Sequence, residues 1–348
     1  MKALLLHCPE IDCIKKDEER FYGMISALNR GGVIGIYYSL HAKPQIPGIL
    51  LLERPDIVFS ADYYALDESN ERQSIHKILY ELQVPYIGST PEALELVLSK
   101  SDLKEKWQSH KVATPQFFTI KKNDIRVSGL ESLLGATEYP YILKPDREGN
   151  SRGLDESSIV FDQISLESKL RELLETYEEV LIEKYLGNCS DFREFTVAMI
   201  GNGQRKLLMP AEITLKRKKS LRIITTKDKE EHHTQAIPVD DKTLLERLIE
   251  LAERAFEIAG VRDYSRCDVI MADGQLFAIE INGQPMIPDK WFEVCASGVG
   301  LDSSQYINAI FLAGIVRNIE QGISNLIIPS EMRQHLPSSI FNMLTKSR

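Results

Sequence analysis

The sequence predicts a mixed α/β (α+β) protein, and three observations carry that expectation. Across residues 1–95 short apolar runs alternate with helical stretches, the order that gives parallel strands joined by crossover helices. A second series of strands and helices surrounds a glycine-bearing loop at residues 142–153, ILKPDREGNSRG. Farther on, CDVIMADGQLFAIEIN reads as an antiparallel β-hairpin turning at Asp273-Gly274.

Taken in order, KALLLHC, VIGIYYSL, DIVFS and VPYIGS are strands of a first unit, with one helix ending at Asn29 to Gly32 and another near Arg72 to Leu82. Pro91 opens the helical stretch PEALELVLSKSDLKEKWQSH. There Leu94, Val97, Leu98 and Leu103 recur at helical spacing, and Pro115 lies beyond the end. A second unit starts about there. It holds the strands FFTI and YILKP, the glycine loop, an IVF strand, a helix from Leu166 to Tyr177 and the strand VLIEKYL.

Beyond the polar connector GNCSD come the strands EFTVAMIG and KLLMPAEI, then a run without a clean period from Thr214 to His233. Its Lys216, Arg217, Lys218, Lys219 and Arg222 read either as a solvated face or as a mobile flap over a polyanion. Asp240 to Gly260 is the clearest helix. Leu244, Leu245, Leu248, Leu251, Ala252 and Ala255 make its apolar stripe, Asp240 or Asp241 can accept from the free N-terminal amides, and Gly260 suits the left-handed position past the end. Ser303 to Ile315 is a last amphipathic helix, and the tail from Gly322 is expected to be a surface appendage.

At 348 residues the chain exceeds one typical core, and 43% hydrophobic with 27% charged residues is ordinary for a globular protein. The net charge of -9 argues against a general nucleic-acid binder, which needs clustered basic residues to displace counterions. Cys8, Cys13, Cys189, Cys267 and Cys295 have neither zinc nor redox spacing, so free thiols in a reducing cytoplasm are expected. No stretch approaches the ~20 apolar residues needed to cross a bilayer, and the N-terminal apolar run is too short for a secretory segment. A cytoplasmic protein without a membrane partner is the expectation.

In ILKPDREGNSRG the lysine supplies a point charge and the glycines let backbone amides approach the oxygens of a polyphosphate. Alone, the pattern is a weak signal that more often describes a strand entering a solvated turn. The hairpin carries Asp268 on its first strand and Glu280 with Asn282 on its second, the oxygen donors that Mg2+ takes beside phosphate and water. Acids facing water on an amphipathic hairpin are the plain alternative. With a two-residue turn at Asp273-Gly274 the two carboxylates fall on opposite faces, unless a bulge restores the parity. A three-residue loop, Ala272-Asp273-Gly274, is therefore expected. It puts Asp268, Ile270, Leu276, Ala278, Glu280 and Asn282 on one face and Val269, Met271, Phe277, Ile279 and Ile281 on the core face.

These ordered segments together resemble the ATP-grasp superfamily and, within it, the D-alanine:D-alanine ligase family, over most of residues 1 to 315. KPDREGNSRG stands where the family has its phosphate loop, and IEKYLG looks like its adenine-binding hinge. REFTVAMIG, RCDVIMADGQLFAIEIN and VPYIGST look like further family segments. The resemblance implies an ATP-grasp fold preceded by an N-terminal parallel-sheet pre-ATP-grasp domain. The implied division is 1–94 for that domain, 95–186 for the central subdomain with the phosphate loop, 187–321 for the C-terminal subdomain with the metal hairpin, and 322–348 for the appendage. ATP would lie between the two subdomains.

By the same resemblance Lys100 and Lys144 hold phosphates, the loop amides near Ser151 cap the terminal phosphate, Glu183 with the backbone of Lys184 and Leu186 reads the adenine edge, and Glu194 binds the ribose. Asp268, Glu280 and Asn282 would hold two Mg2+ ions, for which Mn2+ can stand in. Lys227 is the candidate flap lysine, although the family's lysine-tyrosine pair is absent, and Arg266 sits where the family stabilises an oxyanion. Each residue also has a structural reading: Lys100 as a helix-surface lysine, Glu183 and Lys184 as an exposed strand pair, Glu194 as a partner of Arg193, Arg266 as a partner of Asp268 or Asp263.

The chemistry implied is attack of a carboxylate on the γ-phosphate to give an acylphosphate and ADP, then attack of an amine to give an amide and phosphate. The protein contributes position and charge rather than a nucleophile. A homodimer is implied as well.

The substrate side departs from the family. The segment that holds the first amino group has no clear copy, SADYYALDESNERQS replaces the family's histidine-glycine segment, and GQPMIPDKW follows Asn282 in place of proline-glycine-methionine. Within the loop, Asn150 stands for the first of two serines, and Asp146 and Arg152 add charges. The reading is an ATP-dependent carboxylate-amine ligase, an amino-acid ligase acting on substrates other than two D-alanines, as in secondary metabolism. Tyr63, Tyr64, Asp67, Glu68, Met286 and Trp291 are its candidate substrate-side residues, and the basic run Lys216 to Arg222 could receive an acidic substrate or an acidic carrier protein. Two alternatives stand beside it: a true cell-wall D-alanine:D-alanine ligase, and a nucleotide-binding regulatory protein without turnover.

Overall fold

The computed structural model describes residues 1–8, 14–40, 46–66, 71–124, 138–149, 151–216, 221–231, 233–323 and 325–346. Cys13, Asp67, Glu68, Asn150, Arg217, Lys218 and Lys219, all singled out above, lie outside the described residues.

The N-terminal part runs β1 (Lys2–His7), β2 (Ile34–Ser39), β3 (Ile57–Ser60), β4 (Tyr64–Leu66), β5 (Arg72–Ser74) and β6 (Tyr86–Ile87). Four of these form a parallel sheet in the order β2-β1-β3-β6. The leucine run of β1 is what a strand covered on both faces requires. Leu4 and Leu6 enter one core, and Ala3 and Leu5 enter the other. β4 and β5 make a small antiparallel ribbon, and the helix expected from Arg72 begins only at Ile75, with Ser74 accepting from the Lys77 amide. A further helix, Ile46–Glu53, was not expected: its IPGILLLE has no helical period.

The middle of the chain gives β7 (Phe117–Lys121), β8 (Tyr141–Pro145), β9 (Ile159–Val160) and β10 (Glu179–Lys184), an antiparallel sheet in the order β7-β10-β8-β9. Helix Gln163–Thr176, started by a capping box between Asp162 and Ser165, buries Leu166, Leu170, Leu173 and Leu174 on it.

The third sheet is antiparallel, in the order β13-β12-β11-β14-β15, from β11 (Arg193–Asn202), β12 (Arg205–Leu215), β13 (Thr234–Pro238), β14 (Asp263–Ala272) and β15 (Gln275–Asn282). Helix Lys242–Ala259 covers one face with the expected stripe. Asp241 caps its start and Gly260, at φ 72°, ends it in the left-handed region. Helix Ser303–Glu320 covers the other face and also meets the N-terminal sheet. Phe59 of β3 stacks on Tyr264 at 5.8 Å and on Phe311 at 5.9 Å.

Three expectations need correction. The helical stretch from Pro91 is broken into Pro91–Leu98 and Lys100–Ser109, because Ser99 takes an extended backbone and its hydroxyl caps the Asp102 amide. The tail is not a surface appendage: Met332, Leu336, Ile340 and Leu344, on and beside helices Ser330–His335 and Ser338–Thr345, are buried in the core shared by the first and third sheets. The β14–β15 hairpin has the two-residue turn, with Asp273 at φ 51° and Gly274 at φ 71°.

Candidate active site

Lys144 sits at the end of β8, and after Pro145 the chain turns through the phosphate-loop candidate. Ser151 at φ 60° and Gly153 at φ 74° bend it through the left-handed region. A Cβ at Gly153 would stand 2.8 Å from Pro145, so the turn requires glycine there.

The loop is locked to helix Lys100–Ser109 by Asp146, the acid that looked foreign in the motif. It is buried, and its carboxylate accepts the Ser101 amide at 2.7 Å and the Ser99 hydroxyl at 2.9 Å. A carboxylate at a helix N-terminus satisfies free amides and the positive end of the dipole together. The break at Ser99 thus places Lys100 in the first helical turn, where its ammonium donates to the carbonyls of Asp146 (3.2 Å) and Glu148 and stands 3.7 Å from Glu280 Oε2.

Behind the loop lies a buried charge chain. Glu183, 2% exposed, holds Lys144 Nζ on Oε1 and Lys104 Nζ on Oε2, each at 2.6 Å. Lys104 also donates to Thr114 Oγ1 at 2.6 Å. Burial alone would raise the Glu183 carboxyl, but the two ammonium groups outweigh it and bring it down to about 2. Burial pushes the Lys104 ammonium down, with Glu183 pulling against it. Both carboxylate oxygens of Glu183 are therefore engaged by lysines. The Lys184 amide is committed to the Gln116 carbonyl, and its side chain to the carbonyls of Glu138 and Tyr139.

The hairpin solves its parity problem with a bulge. From Ala272↔Gln275 the pairing runs to Val269↔Ala278, then slips by one residue, so that Asp268 lies opposite Glu280 and Arg266 opposite Asn282. The slip occurs at Ile279. The two-residue turn puts Leu276 and Ala278 into the core, where Phe277 and Ile279 were expected, and the slip returns Glu280 to the face of Asp268, with Ile270 and Ile279 lining the cleft. Asp268 accepts the Thr196 hydroxyl at 2.7 Å, and Asn282 Oδ1 accepts the Gln284 amide at 3.1 Å.

The described residues contain no group of three or more His, Cys, Asp or Glu side chains arranged to hold a metal ion. A facing Asp–Glu pair with an amide oxygen nearby suits Mg2+, which takes one or two carboxylates and completes its shell with substrate oxygens and water.

A cleft opens between the second and third sheets. Lys144, Ser151, Glu183, Lys184, Leu186, Glu194, Asp268 and Glu280 border it. Its walls are largely apolar, including Ile142, Leu154, Phe192, Ile223 and Ile270, as a slot for a flat base would be. Residues 221–226 close one side: Ser151 Oγ donates to the Ile224 carbonyl at 2.9 Å, Thr226 Oγ1 donates to the Ser151 carbonyl at 3.2 Å, and the Arg222 amide donates to Tyr185 Oη at 2.7 Å. Gly187 permits this closure, since a Cβ there would stand 2.4 Å from Tyr185 Oη and 2.9 Å from Arg222 Cβ.

The family model for the D-Ala–D-Ala ligase C-terminus matches residues 106–311, more than half of the chain. The chain belongs to the D-alanine–D-alanine ligase family. Among its relatives, the D-alanine–D-alanine ligase of Cupriavidus pinatubonensis is 25% identical over 302 residues, 84% of this chain and 85% of that one. The ligase of Pelagibacter ubique is 27% identical over 241 residues, 67% of this chain and 71% of its own length. The crystal structure of the Bacillus anthracis D-alanine–D-alanine ligase complexed with ATP superimposes with a TM-score of 0.72 at 20% identity, covering 92% of this chain and all of that one. The fold is accordingly ATP-grasp.

Within this family member Trp291 also borders the cleft, whereas Lys100, Asn282, Arg266 and Lys227 fall outside its lining. Lys100 stands between loop and hairpin. Arg266 pairs with Asp289 at 2.6 Å and with Asp268 at 3.5 Å, and lies 4.9 Å from the Trp291 ring centre. Lys227, 70% exposed, pairs with Glu231 at 3.7 Å and follows Thr226, whose hydroxyl donates to the Ser151 carbonyl.

Sequence reasoning missed Lys104, Asp289 and Tyr185. Lys104 carried one available signal, its spacing of four from Lys100, which puts both on one helical face. The roles of Asp289 and Tyr185 depend on partners 23 and 37 residues away.

Proposed function

We propose that the protein joins a carboxylate to an amine at the expense of ATP, through an acylphosphate, on amino-acid substrates other than two D-alanines. As a member of its family it is an ATP-dependent ligase that forms C–N bonds. The observation that carries the reading is Lys100: it touches the loop carbonyls of Asp146 and Glu148 and reaches Glu280, so loop, helix and hairpin converge where a polyphosphate and its metal would lie.

In this reading Lys100, Lys144 and the loop amides at Ser151 hold the phosphates, Glu194 lies by the ribose, and Asp268, Glu280 and Asn282 hold Mg2+. The metal supplies charge neutralisation on the transferring phosphoryl. Glu183 keeps Lys144 aimed, the closing segment at 221–226 excludes water, and Arg266 offers an N–H to the developing oxyanion. Lys227 would need to swing inward to take part. The division at residues 94 and 186, and a homodimer, belong to the same proposal; light scattering tests the latter.

Substrates other than D-alanine are supported by the replaced segments around Tyr63, Tyr64, Met286 and Trp291. Ligation of two D-alanines is the second reading, favoured by the activity that the relatives' names state. ADP release over a panel of D- and L-amino acids, singly and in pairs, separates the two, with Glu280→Gln as control. No amino-acid-dependent release would overturn both readings and leave a nucleotide-binding regulatory protein.

A further inference from the structure

We propose that Asp62 binds the ammonium group of the carboxylate donor, an inference that rests on the ligase reading above. The parallel sheet runs β2-β1-β3-β6, so the chain leaves β1 for a neighbour on one side and then crosses back to β3 on the other. Helix Ile14–Arg30 accordingly packs with Ala3 and Leu5 on one face, and helix Ile46–Glu53 packs with Leu4 and Leu6 on the other. The crevice outside the carboxyl ends of β1 and β3, where the winding reverses, is where open α/β sheets receive ligands. His7 ends β1, and Asp62 lies two residues past the end of β3.

Two donors fix the Asp62 carboxylate there. His7 Nδ1 and the Cys8 amide each donate to its Oδ2 at 2.7 Å. The His7 side chain is 4% exposed and that of Asp62 is 23% exposed, so a buried ring holds an acid that still meets solvent. Asp62 Oδ1 accepts no hydrogen bond among the described residues. Beside it, the buried Gln284 donates from Nε2 to the carbonyls of Ser60 and, at 3.4 Å, Asp62, while its Oε1 accepts nothing among the described residues. Acceptors without donors call for a group that only donates, and the carboxylate among them calls for one that is positively charged.

Gln284 also ties this crevice to the metal end of the hairpin. It stands two residues past Asn282, and its amide donates to Asn282 Oδ1 at 3.1 Å. Two residues span at most about 7 Å, so a small amino acid with its carboxylate by Asn282 has its ammonium within reach of Asp62. The amine that attacks must arrive uncharged, with its electron pair free. The ammonium held by Asp62 therefore belongs to the other substrate, the one whose carboxylate is activated.

The test uses hydroxylamine, which separates donor from acceptor. Its nitrogen attacks the acyl carbonyl, the C–O bond to phosphate breaks with its electron pair on phosphate, and the nitrogen gives up one proton, leaving a hydroxamate that iron(III) colours. With ATP and Mg2+, the D- and L-forms of alanine, leucine and phenylalanine are compared with propionate, 4-methylpentanoate and 3-phenylpropionate, which lack only the amine. The expected result is a kcat/KM for the best amino acid at least about tenfold above that of its amine-free counterpart, because a site built for an N–H group rejects the analogue without one. Asp62→Asn keeps an oxygen for His7 and Cys8 but loses the charge. It should raise KM for that amino acid by about tenfold or more, shrink its preference over the amine-free acid, and leave ATP affinity by calorimetry unchanged. A preference that survives Asp62→Asn would overturn the inference alone. So would equal use of amine-free acids by the unaltered protein, whether or not the variant folds. No hydroxamate from any acid would overturn the ligase reading and this inference with it.

Discussion

Replacing Glu183 by glutamine tests the buried charge chain behind the phosphate loop. The variant keeps the shape but removes the negative charge between Lys144 and Lys104, whose ammonium nitrogens each lie 2.6 Å from a carboxylate oxygen. The amide can accept from one lysine, and its NH2 then faces the other, donor against donor. Removing one member of a buried ion pair costs about 3–5 kcal/mol. The lowering of the Glu183 carboxyl from 4.5 to about 2 represents roughly 3 kcal/mol, which agrees in size. Because the folded value lies below the unfolded one, this stabilisation is complete above pH 4.5 and lost as pH falls toward 2.

Urea unfolding at pH 7.5 should show Glu183→Gln weaker by that amount, and the difference should shrink steadily from pH 4.5 downward. In the same preparation, ATP and GTP affinities should fall together, since Lys144 loses its support while base recognition is untouched. A loss under about 1 kcal/mol, combined with a fall in ATP over GTP preference, would refute the reasoning and return Glu183 to the adenine edge.

Glu280→Gln, which leaves Asp268 without its facing carboxylate, should cut ADP release roughly 10²–10³-fold and raise the Mg2+ needed for half-maximal rate. Gly187→Ala forces a Cβ to within 2.4 Å of Tyr185 Oη, so the segment at Arg222 should lift and ATP should bind about tenfold more weakly by calorimetry, near the lower end of overpacking costs. His76 is buried, and burial together with Arg262 pushes its imidazole from 6.5 down to about 3. The stability due to its neutral form is complete above pH 6.5 and fades toward pH 3, so His76→Phe should flatten the unfolding profile across that window. Ending the chain at Gly322 exposes the pockets of Met332, Leu336, Ile340 and Leu344, each worth about 1.5–3 kcal/mol, and should yield a protein that is largely unfolded by circular dichroism at 25 °C.

The sequence by itself determined what neighbours along the chain can decide. Asp241 and Gly260 bound the helix they were expected to bound, because capping is settled within a turn. The leucines of β1 announced a strand buried on both faces, and the ordered motifs carried the family and the ATP-grasp fold.

Tertiary structure decided which charges meet. Lys104 and Glu183 lie far apart in sequence and nothing local marks them as partners; helix Lys100–Ser109 packs its Leu103 and Trp107 into the core of the third sheet, which leaves Lys104 buried against Glu183 of the second, and burial then forces the pairing. The hairpin divides along the same line. Asp273-Gly274 marked where the chain turns, but the three-residue loop expected there is a two-residue turn, and the slip at Ile279 then brings Asp268 opposite Glu280 while Leu276 and Ala278 pack in the core under helix Lys242–Ala259. A pattern of residues fixes which face can be apolar, but a bulge costs little locally and is selected only when a core on one side and a cleft on the other must both be filled.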